Sequence, residues 1–179
     1  MTRTLVLLAV GLLAACGWRA GLPRPVGAQT LAVAFPGNDS RLRDLEVDLG
    51  QALAEAALDR LSLRLVAPAE ADLVIQGRIY DFRRLGGIRA PDNELVEAQD
   101  LIGVELALVE TATGNELGTV SRRLWAGFAV DIDEAATNAA DERETQLRVA
   151  RNLAEGLILE LFDPLTYETG SSQRRPTSE

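Results

Sequence analysis

The sequence predicts an α+β domain in which two helices pack as one layer against a mixed, mainly antiparallel sheet of four to five strands. Two long stretches place apolar residues at the three- and four-residue intervals of an amphipathic helix, and several short stretches alternate apolar and polar residues as strands do. The last two strand-like stretches are joined by a tight turn. The order is β-α-β-β-β-β-α, and a sheet of this kind needs helices to cover one of its faces.

The first strand and the first helix occupy the beginning of the predicted domain. Residues 30–35 form a short apolar strand, which the turn residues 36–39 end. The first helix is predicted over 40–61, with Asp39 or Ser40 as its N-cap. Its apolar positions have helical spacing and are Leu42, Leu45, Leu49, Leu53 and Ala56. The acidic side chains of this stretch lie mostly on the other face, as expected for a surface helix.

The remaining strands and the second helix follow from the same two periodicities. Four more strands are predicted over 62–66, 71–84, 95–111 and 116–130. A loop at 85–94 separates the second and third of these strands, and Thr113-Gly114-Asn115 forms the final hairpin turn. The acidic stretch 131–134 opens the second helix, which has helical apolar spacing over 135–161 and which Pro164 ends.

The chain divides into four segments. They are a signal peptide over 1–15, a lipidated tether over 16–29, the folded domain over 30–162 and a disordered polar tail over 163–179. One positive charge, Arg3, precedes about a dozen apolar residues, which is the layout of a signal peptide and too short a stretch to span a bilayer. Cys16 directly follows Leu13-Ala14-Ala15, an arrangement that resembles a bacterial lipobox. The alternative is a plain signal peptide with an incidental cysteine.

Lipidation would anchor the protein in a membrane. If residues 13–16 are a lipobox, cleavage after Ala15 makes Cys16 the first residue of the mature protein. Its thiol then carries a diacylglyceryl group and its amino group is acylated, and two or more acyl chains give stable anchoring. Gly17 stands after Cys16 where an aspartate would favour retention at the inner membrane. The expected location is therefore the outer membrane, on its periplasmic side.

The composition excludes several kinds of chemistry. The 179 residues include 27 acids, 18 basic residues that are all arginine, no histidine and one cysteine. Triads that use an imidazole base, histidine or multi-cysteine metal sites, and lysine-dependent phosphate loops are therefore absent. A net charge of −9 argues against a nucleic-acid partner. The sequence predicts no enzyme, no catalytic residue, no metal site and no cofactor.

Several segments together resemble the LptE family of lipopolysaccharide-assembly lipoproteins. The similar segments, in order, are CGWRAGLP, AQTLAVAFPGND, LSLRLVAPAEADLVIQGRIYDFRR and LALVETATGNEL. The third is the most recognisable, with Ala71-Asp72 before a strand that carries Gly77. The usual Phe-x-Asn of the second segment is displaced to Phe35-Pro-Gly-Asn38, and the 85–94 loop and the tail match no family feature. The resemblance covers residues 16–162.

The resemblance implies a fold and a function. LptE-like proteins are outer-membrane lipoproteins with two helices against a small sheet. They sit inside the β-barrel protein LptD, help to assemble that barrel and assist lipopolysaccharide insertion, without catalysis. The expected partners are therefore an LptD-type barrel, lipopolysaccharide and the membrane. The alternative is a lipid-anchored periplasmic adaptor that activates a cell-wall enzyme or a transporter.

Arginine is the basic residue available to hold the phosphates and carboxylates of lipopolysaccharide. The candidate binding residues are two doublets and one loop residue: Arg83, Arg84, Arg122, Arg123 and Arg89. Because neighbouring residues on a strand point to opposite faces, each doublet offers one arginine to the open face of the sheet. The alternative is that these arginines are solvated strand residues paired with acids such as Asp81 and Glu105.

Two other features have simpler interpretations than a site. Asp131, Asp133 and Glu134 could attract a calcium ion, but they lack the ligand pattern of an EF-hand, and an acidic helix start explains them better. Trp125 is expected in the core or on the sheet surface, with a partner contact as the alternative.

Overall fold

A computed structural model describes residues 22, 25, 27–130 and 135–163 of the chain and confirms the predicted α+β class. The elements are β1 (Thr30–Val33), β2 (Gly37–Asn38), α1 (Leu45–Arg60), β3 (Arg64–Leu65), a 3-10 turn (Pro68–Glu70), β4 (Leu73–Leu85), β5 (Glu97–Glu110), β6 (Glu116–Ala129) and α2 (Ala135–Leu161). The predicted signal peptide, Cys16, most of the tether, the acidic stretch 131–134 and the tail from residue 164 lie outside the described residues.

The strands form one mixed sheet in the order β3-β1-β4-β5-β6, with β2 also paired to β4. The pairs that involve β1, β2 and β3 are parallel, whereas β4–β5 and β5–β6 are long antiparallel ladders. The sheet therefore has six strands and not the four to five expected. The additional strand is β2, in which Gly37 and Asn38 return to pair with Arg78 and Ile79 just beyond Pro36. Gly37 and Asn38 show no apolar–polar alternation and follow a proline, so the sequence pattern predicts a turn there and not a strand.

Both helices cover one face of this sheet and run parallel to each other. Two interhelical ion pairs show the direction, since Asp48 contacts Arg143 with an Oδ1–Nη2 distance of 2.8 Å, and Arg60 contacts Glu155 at 3.5 Å. The shared core is aliphatic, and its largest fully buried side chains include Leu31, Leu49, Leu53, Ile75, Ile79, Leu106, Leu108, Leu153 and Phe162. Each such side chain stabilises the fold by about 1.5–3 kcal/mol relative to an exposed position.

The prediction for the start of the first helix was wrong. The helix begins at Leu45 and not at residue 40, and neither Asp39 nor Ser40 is its N-cap. Asp44 occupies that position in a left-handed conformation, with φ of 71° and no capping hydrogen bond from its side chain.

Asn38 orders the turn that precedes α1. Its amide nitrogen donates to the Leu42 carbonyl at 2.7 Å and to Glu46 Oε2 at 2.5 Å, and its Oδ1 accepts from the Ser40 backbone N–H at 2.9 Å. One side chain, that of Asn38, therefore contacts both ends of the turn between β2 and α1. Asn38 lies seven residues before the first helical residue, so the rules for N-cap residues do not predict this role.

The segment 85–94 is more regular than the predicted loop. Leu85 still belongs to β4, Arg89 and Leu95 form an isolated bridge, and the Val96 N–H donates to the Ile88 carbonyl at 2.9 Å. Asn93 has a φ of 73° and closes the turn. The β4–β5 hairpin thus continues beyond its strands to a tight tip.

Candidate functional site

The two arginine doublets lie on β4 and β6, on either side of β5. Phe82 packs against the helix-side core and Arg84 contacts α2, so Arg83 points to the opposite face of the sheet. In the same way Arg122 contacts α2, and Arg123 points to the opposite face. Each doublet therefore contributes one arginine to the open face of the sheet, as strand alternation predicts.

Arg84 and Arg122 attach α2 to the sheet. The Arg84 Nε lies 3.1 Å from Oδ1 of Asp100, whose side chain is only 1% exposed, and the same guanidinium bonds Glu142 of α2. The hydrogen bond to Asp100 is the main reason that the pKa of Arg84 is raised. Arg122 pairs with Glu160 of α2 at 3.1 Å. These two arginines have acidic partners on the helix side of the molecule.

The open face carries a group of residues that we term the open-face cluster: Tyr80, Asp81, Arg83, Arg123 and Trp125. Asp81 is its centre, with Arg83 Nε at 3.0 Å from Oδ1 and Arg123 Nη2 at 3.9 Å from Oδ2. The Asp81 side chain is 13% exposed, whereas those of Arg83 and Arg123 are 65% and 57% exposed. Two guanidinium groups thus share one carboxylate, which leaves the cluster with a positive charge and free donors that face solvent.

A β-bulge and a glycine build this cluster. The β4–β5 register shifts between Ile79 and Asp81, and bulges of this kind redirect side chains. A Cβ on Gly103 would lie 2.9 Å from the Tyr80 ring, so the ring rests on the glycine. The Arg123 guanidinium stacks at 5.4 Å from the centroid of the same ring.

Trp125 borders the cluster on β6. Its register places it opposite Leu101, which in turn is opposite Arg83. Leu101 is 5% exposed, although it is on the uncovered face, while Trp125 is 51% exposed. Trp125 is therefore a half-exposed surface residue of the sheet, two residues from Arg123 on the same face of β6.

Arg89 and Arg78 lie outside the cluster. Arg89 is in the hairpin tip, where its Nη1 donates to the Asn93 carbonyl at 2.7 Å. Its bridge partner Leu95 precedes Leu101 by six residues, about 20 Å along a strand. Arg78 is not among the arginines that the sequence predicts as candidates. Its hydrogen bond to Glu105, at 3.0 Å, is the main reason that its pKa is raised. Its second acidic partner, Asp39, is 3.3 Å away.

A shallow cleft of about 240 Å³ opens between the end of β6 and α2. Its lining residues are Gly127, Phe128, Ala129, Asp141, Glu144, Thr145 and Arg148. Over the described ranges, the acidic side chains form no group of three that could hold a metal ion. None of the helices in these ranges is long and apolar enough to cross a membrane.

The fold defines a class of small α+β domains in which two helices cover one face of a mixed sheet and leave the other face uncovered. Within this class, the chain belongs to the LptE family of lipopolysaccharide assembly, whose family model matches residues 28–161. The family expected from the sequence resemblance is therefore confirmed. It is a non-catalytic family.

Solved structures share the fold at low sequence identity. Rare lipoprotein B from Shewanella oneidensis superposes with a TM-score of 0.52 at 13% identity, over 81% of this chain and 100% of that chain. The PelC dodecamer from Paraburkholderia phytofirmans gives 0.51 at 17% identity, over 80% and 94%. No curated protein matches the chain by sequence. At these identities the structural similarity establishes the fold alone.

Proposed function

We propose that this protein is a lipid-anchored, non-catalytic component of lipopolysaccharide assembly at the outer membrane, where it is the partner of an LptD-type β-barrel. The observation that carries the proposal is the family match over residues 28–161, in a chain whose residues 1–16 have the order of a lipoprotein signal. Cys16 would be the lipidated residue. The anchor would hold the domain on the periplasmic side of the membrane.

The open-face cluster supports a contact with lipopolysaccharide. Arg83 and Arg123 share Asp81, so both retain guanidinium donors for an anionic group, and such donors bind phosphate and carboxylate oxygens in pairs. Arg89 is exposed in the hairpin tip and would make a separate contact. Arg84 and Arg122 would act indirectly, by fixing α2 beneath the strands.

Co-purification tests the proposed partner. We expect the tagged full-length protein, extracted from membranes in mild detergent, to bring down a large outer-membrane β-barrel in a near-stoichiometric amount. Depletion of the protein should lower lipopolysaccharide at the cell surface. Recovery of no barrel would overturn the proposal. A cell-wall or transport defect with normal surface lipopolysaccharide would favour the adaptor alternative.

A binding measurement tests the arginines. We expect the double change Arg83→Ala and Arg123→Ala to weaken lipopolysaccharide binding by about tenfold at low salt, because two exposed charge contacts of up to about 1 kcal/mol each are lost. The difference should shrink as salt rises, since salt screens exposed charges. Arg60→Ala is the matched control, since Arg60 has similar exposure but lies on α1. An equal loss in the control, or none in the double variant, would exclude the cluster as the binding site.

A further inference from the structure

The two edges of the sheet differ in length and protection. One edge ends in β3, a strand of two residues that Ala67-Pro68 follows. The other edge is β6, a strand of 14 residues whose partner among the described strands is β5. Native sheets normally protect a long edge with charges, proline or a covering element, because unpaired backbone groups attract further strands.

The final part of β6 has none of these protective residues. The six residues Leu124–Ala129, LWAGFA in sequence, contain no charge and no proline, although a quarter of the chain is charged. Arg122 and Arg123 precede this segment, which we call the uncharged edge. An uncharged, mostly apolar strand at a sheet edge is the pattern typical of a surface that pairs with another strand.

The backbone of the uncharged edge has outward-facing hydrogen-bonding groups. The Val130 N–H donates to the carbonyl of its register partner Val96 at 3.0 Å, so the backbone of Val130 faces β5. In an antiparallel ladder every second residue has its backbone groups turned toward the neighbouring strand. The backbone groups of Phe128, paired with Ala98, and of Ala126, paired with Asp100, therefore also face β5. The N–H and C=O groups of the intervening residues Trp125, Gly127 and Ala129 therefore point away from β5.

The space beside this edge accepts another strand. Trp125, Gly127 and Ala129 are exposed on the open face. On the helix face, Leu124 and Ala126 are only half-buried, and the cleft of about 240 Å³ separates the strand end from α2. Side chains of an added strand would thus meet apolar surface at Leu124 and Ala126. On the opposite face they would meet Trp125, the positive charge of Arg123 and the carboxylate of Glu97, which lies over Gly127.

We propose that the uncharged edge of β6 pairs with an amphipathic β-strand of the barrel partner, and this inference rests on the proposed function. Main-chain hydrogen bonds would supply affinity, while alternate side chains supply selectivity. Transmembrane barrel strands alternate apolar and polar residues, which matches the two different faces beside β6. A barrel has unpaired edges only before it closes, so the pairing belongs to assembly.

Proline substitution tests the pairing without breaking the β5–β6 ladder. Gly127→Pro and Ala129→Pro remove outward N–H groups, and edge strands tolerate proline where the N–H faces solvent. A Cβ at position 127 displaces the flexible end of the Glu97 side chain and not backbone. Thr119→Pro is the matched control, because Thr119 is also exposed and lies in the same alternation on β6, outside the uncharged edge. Each full-length variant is co-expressed with the barrel protein, and the barrel recovered with the tag is quantified. Circular dichroism verifies that each variant is folded.

We expect the amount of co-expressed barrel protein recovered with the tag to fall at least about fivefold for the two edge variants. For the Thr119→Pro control it should stay within about twofold of wild type. Should the edge prolines unfold the domain, Ala129→Lys places a charge on the edge with the backbone intact and should give the same loss.

If wild type recovers no barrel, the proposed function fails. If wild type recovers it and all edge variants do so equally, only the edge inference fails. If light scattering shows a wild-type dimer that the edge variants dissociate, a second copy occupies the edge and the inference is overturned.

Discussion

At the scale of single residues, Asp72 connects the start of β1 to the start of β4. Its Oδ2 accepts hydrogen bonds from the backbone N–H groups of Gln29 and Thr30, each at 2.9 Å, and from the Thr30 hydroxyl at 2.8 Å. The Asp72 N–H donates in return to that hydroxyl at 2.8 Å. These bonds favour the ionised carboxylate. Asp72 of the Ala71-Asp72 pair, on which the family resemblance partly rests, thus has a physical role: its hydrogen bonds connect the parallel strands β1 and β4.

Asp72→Asn is expected to destabilise the fold near neutral pH and to make stability less dependent on acid. The hydrogen bond from the Gln29 N–H, followed by those from Thr30, lowers the pKa of Asp72 below its ordinary value of 3.8. The stabilisation is therefore fully present above that value and is lost as the pH falls through the lower folded-state pKa. Urea unfolding between pH 7 and pH 2 should show the wild-type and variant curves converging at acid pH. A constant difference across that range would contradict the role of the charge.

Gly103 is required by the close approach of the Tyr80 ring. Gly103→Ala should cost about 1–3 kcal/mol of unfolding free energy, because a Cβ there would lie 2.9 Å from the ring and the ring must move. The displaced ring would also lose its stacking with Arg123. Gly86→Ala is the control, since a Cβ at Gly86 meets no atom within 4 Å. Equal stability of the two variants in urea would show that Tyr80 adapts at no cost.

At the scale of elements, local periodicity predicts the three long strands to within two residues at each end, and it predicts the C-terminal end of α2 at Leu161. What it misses depends on distant parts of the chain. The turn before α1 is bridged by the Asn38 side chain, and β2 is defined by its pairing with β4. The site shows the same division: alternation predicts that one arginine of each doublet reaches the open face. The convergence of Arg83 and Arg123 on Asp81 depends on a bulge that has no local signal.

The two helix-side arginines should differ in their contribution to stability. Arg84→Ala leaves the carboxylate of Asp100, 1% exposed, without its ion partner, and should cost about 2–3 kcal/mol. Arg122→Ala breaks a pair whose side chains are 45% and 43% exposed, and should cost less than about 1 kcal/mol. Urea unfolding midpoints at an unchanged slope measure both. A larger loss of stability for Arg122→Ala than for Arg84→Ala would contradict the role of the buried Asp100 carboxylate in holding Arg84 against α2.

At the scale of the whole molecule, the two ends of the sheet have different neighbours. Leu31 pairs with Leu73 at the beginning of β4, so the chain that comes from Cys16 enters the domain at that end. The hairpin tip around Arg89 lies at the other end, beyond the 13 residues of β4. That length corresponds to about 43 Å of strand. The tether end and the hairpin tip are therefore on opposite sides of the domain, with the open-face cluster and the uncharged edge nearer the tip.

Because of this separation, we expect the proposed lipid anchor at Cys16 to determine location without contributing to the fold. Among the described residues the fully buried core lies within 28–162, and Leu22, six residues after Cys16, packs against it. Cys16→Ser should therefore leave the thermal midpoint of the purified protein within about 2 °C of wild type. The same change should move the protein from the membrane pellet to the soluble periplasmic fraction, because each buried methylene of a lipid chain contributes about 0.8 kcal/mol to anchoring. Ser62→Ala, a change of similar size elsewhere, is the fractionation control. Retention of the Cys16→Ser protein in the pellet would show that another surface binds the membrane. A lowered midpoint would show that Cys16 itself contributes to the stability of the folded domain.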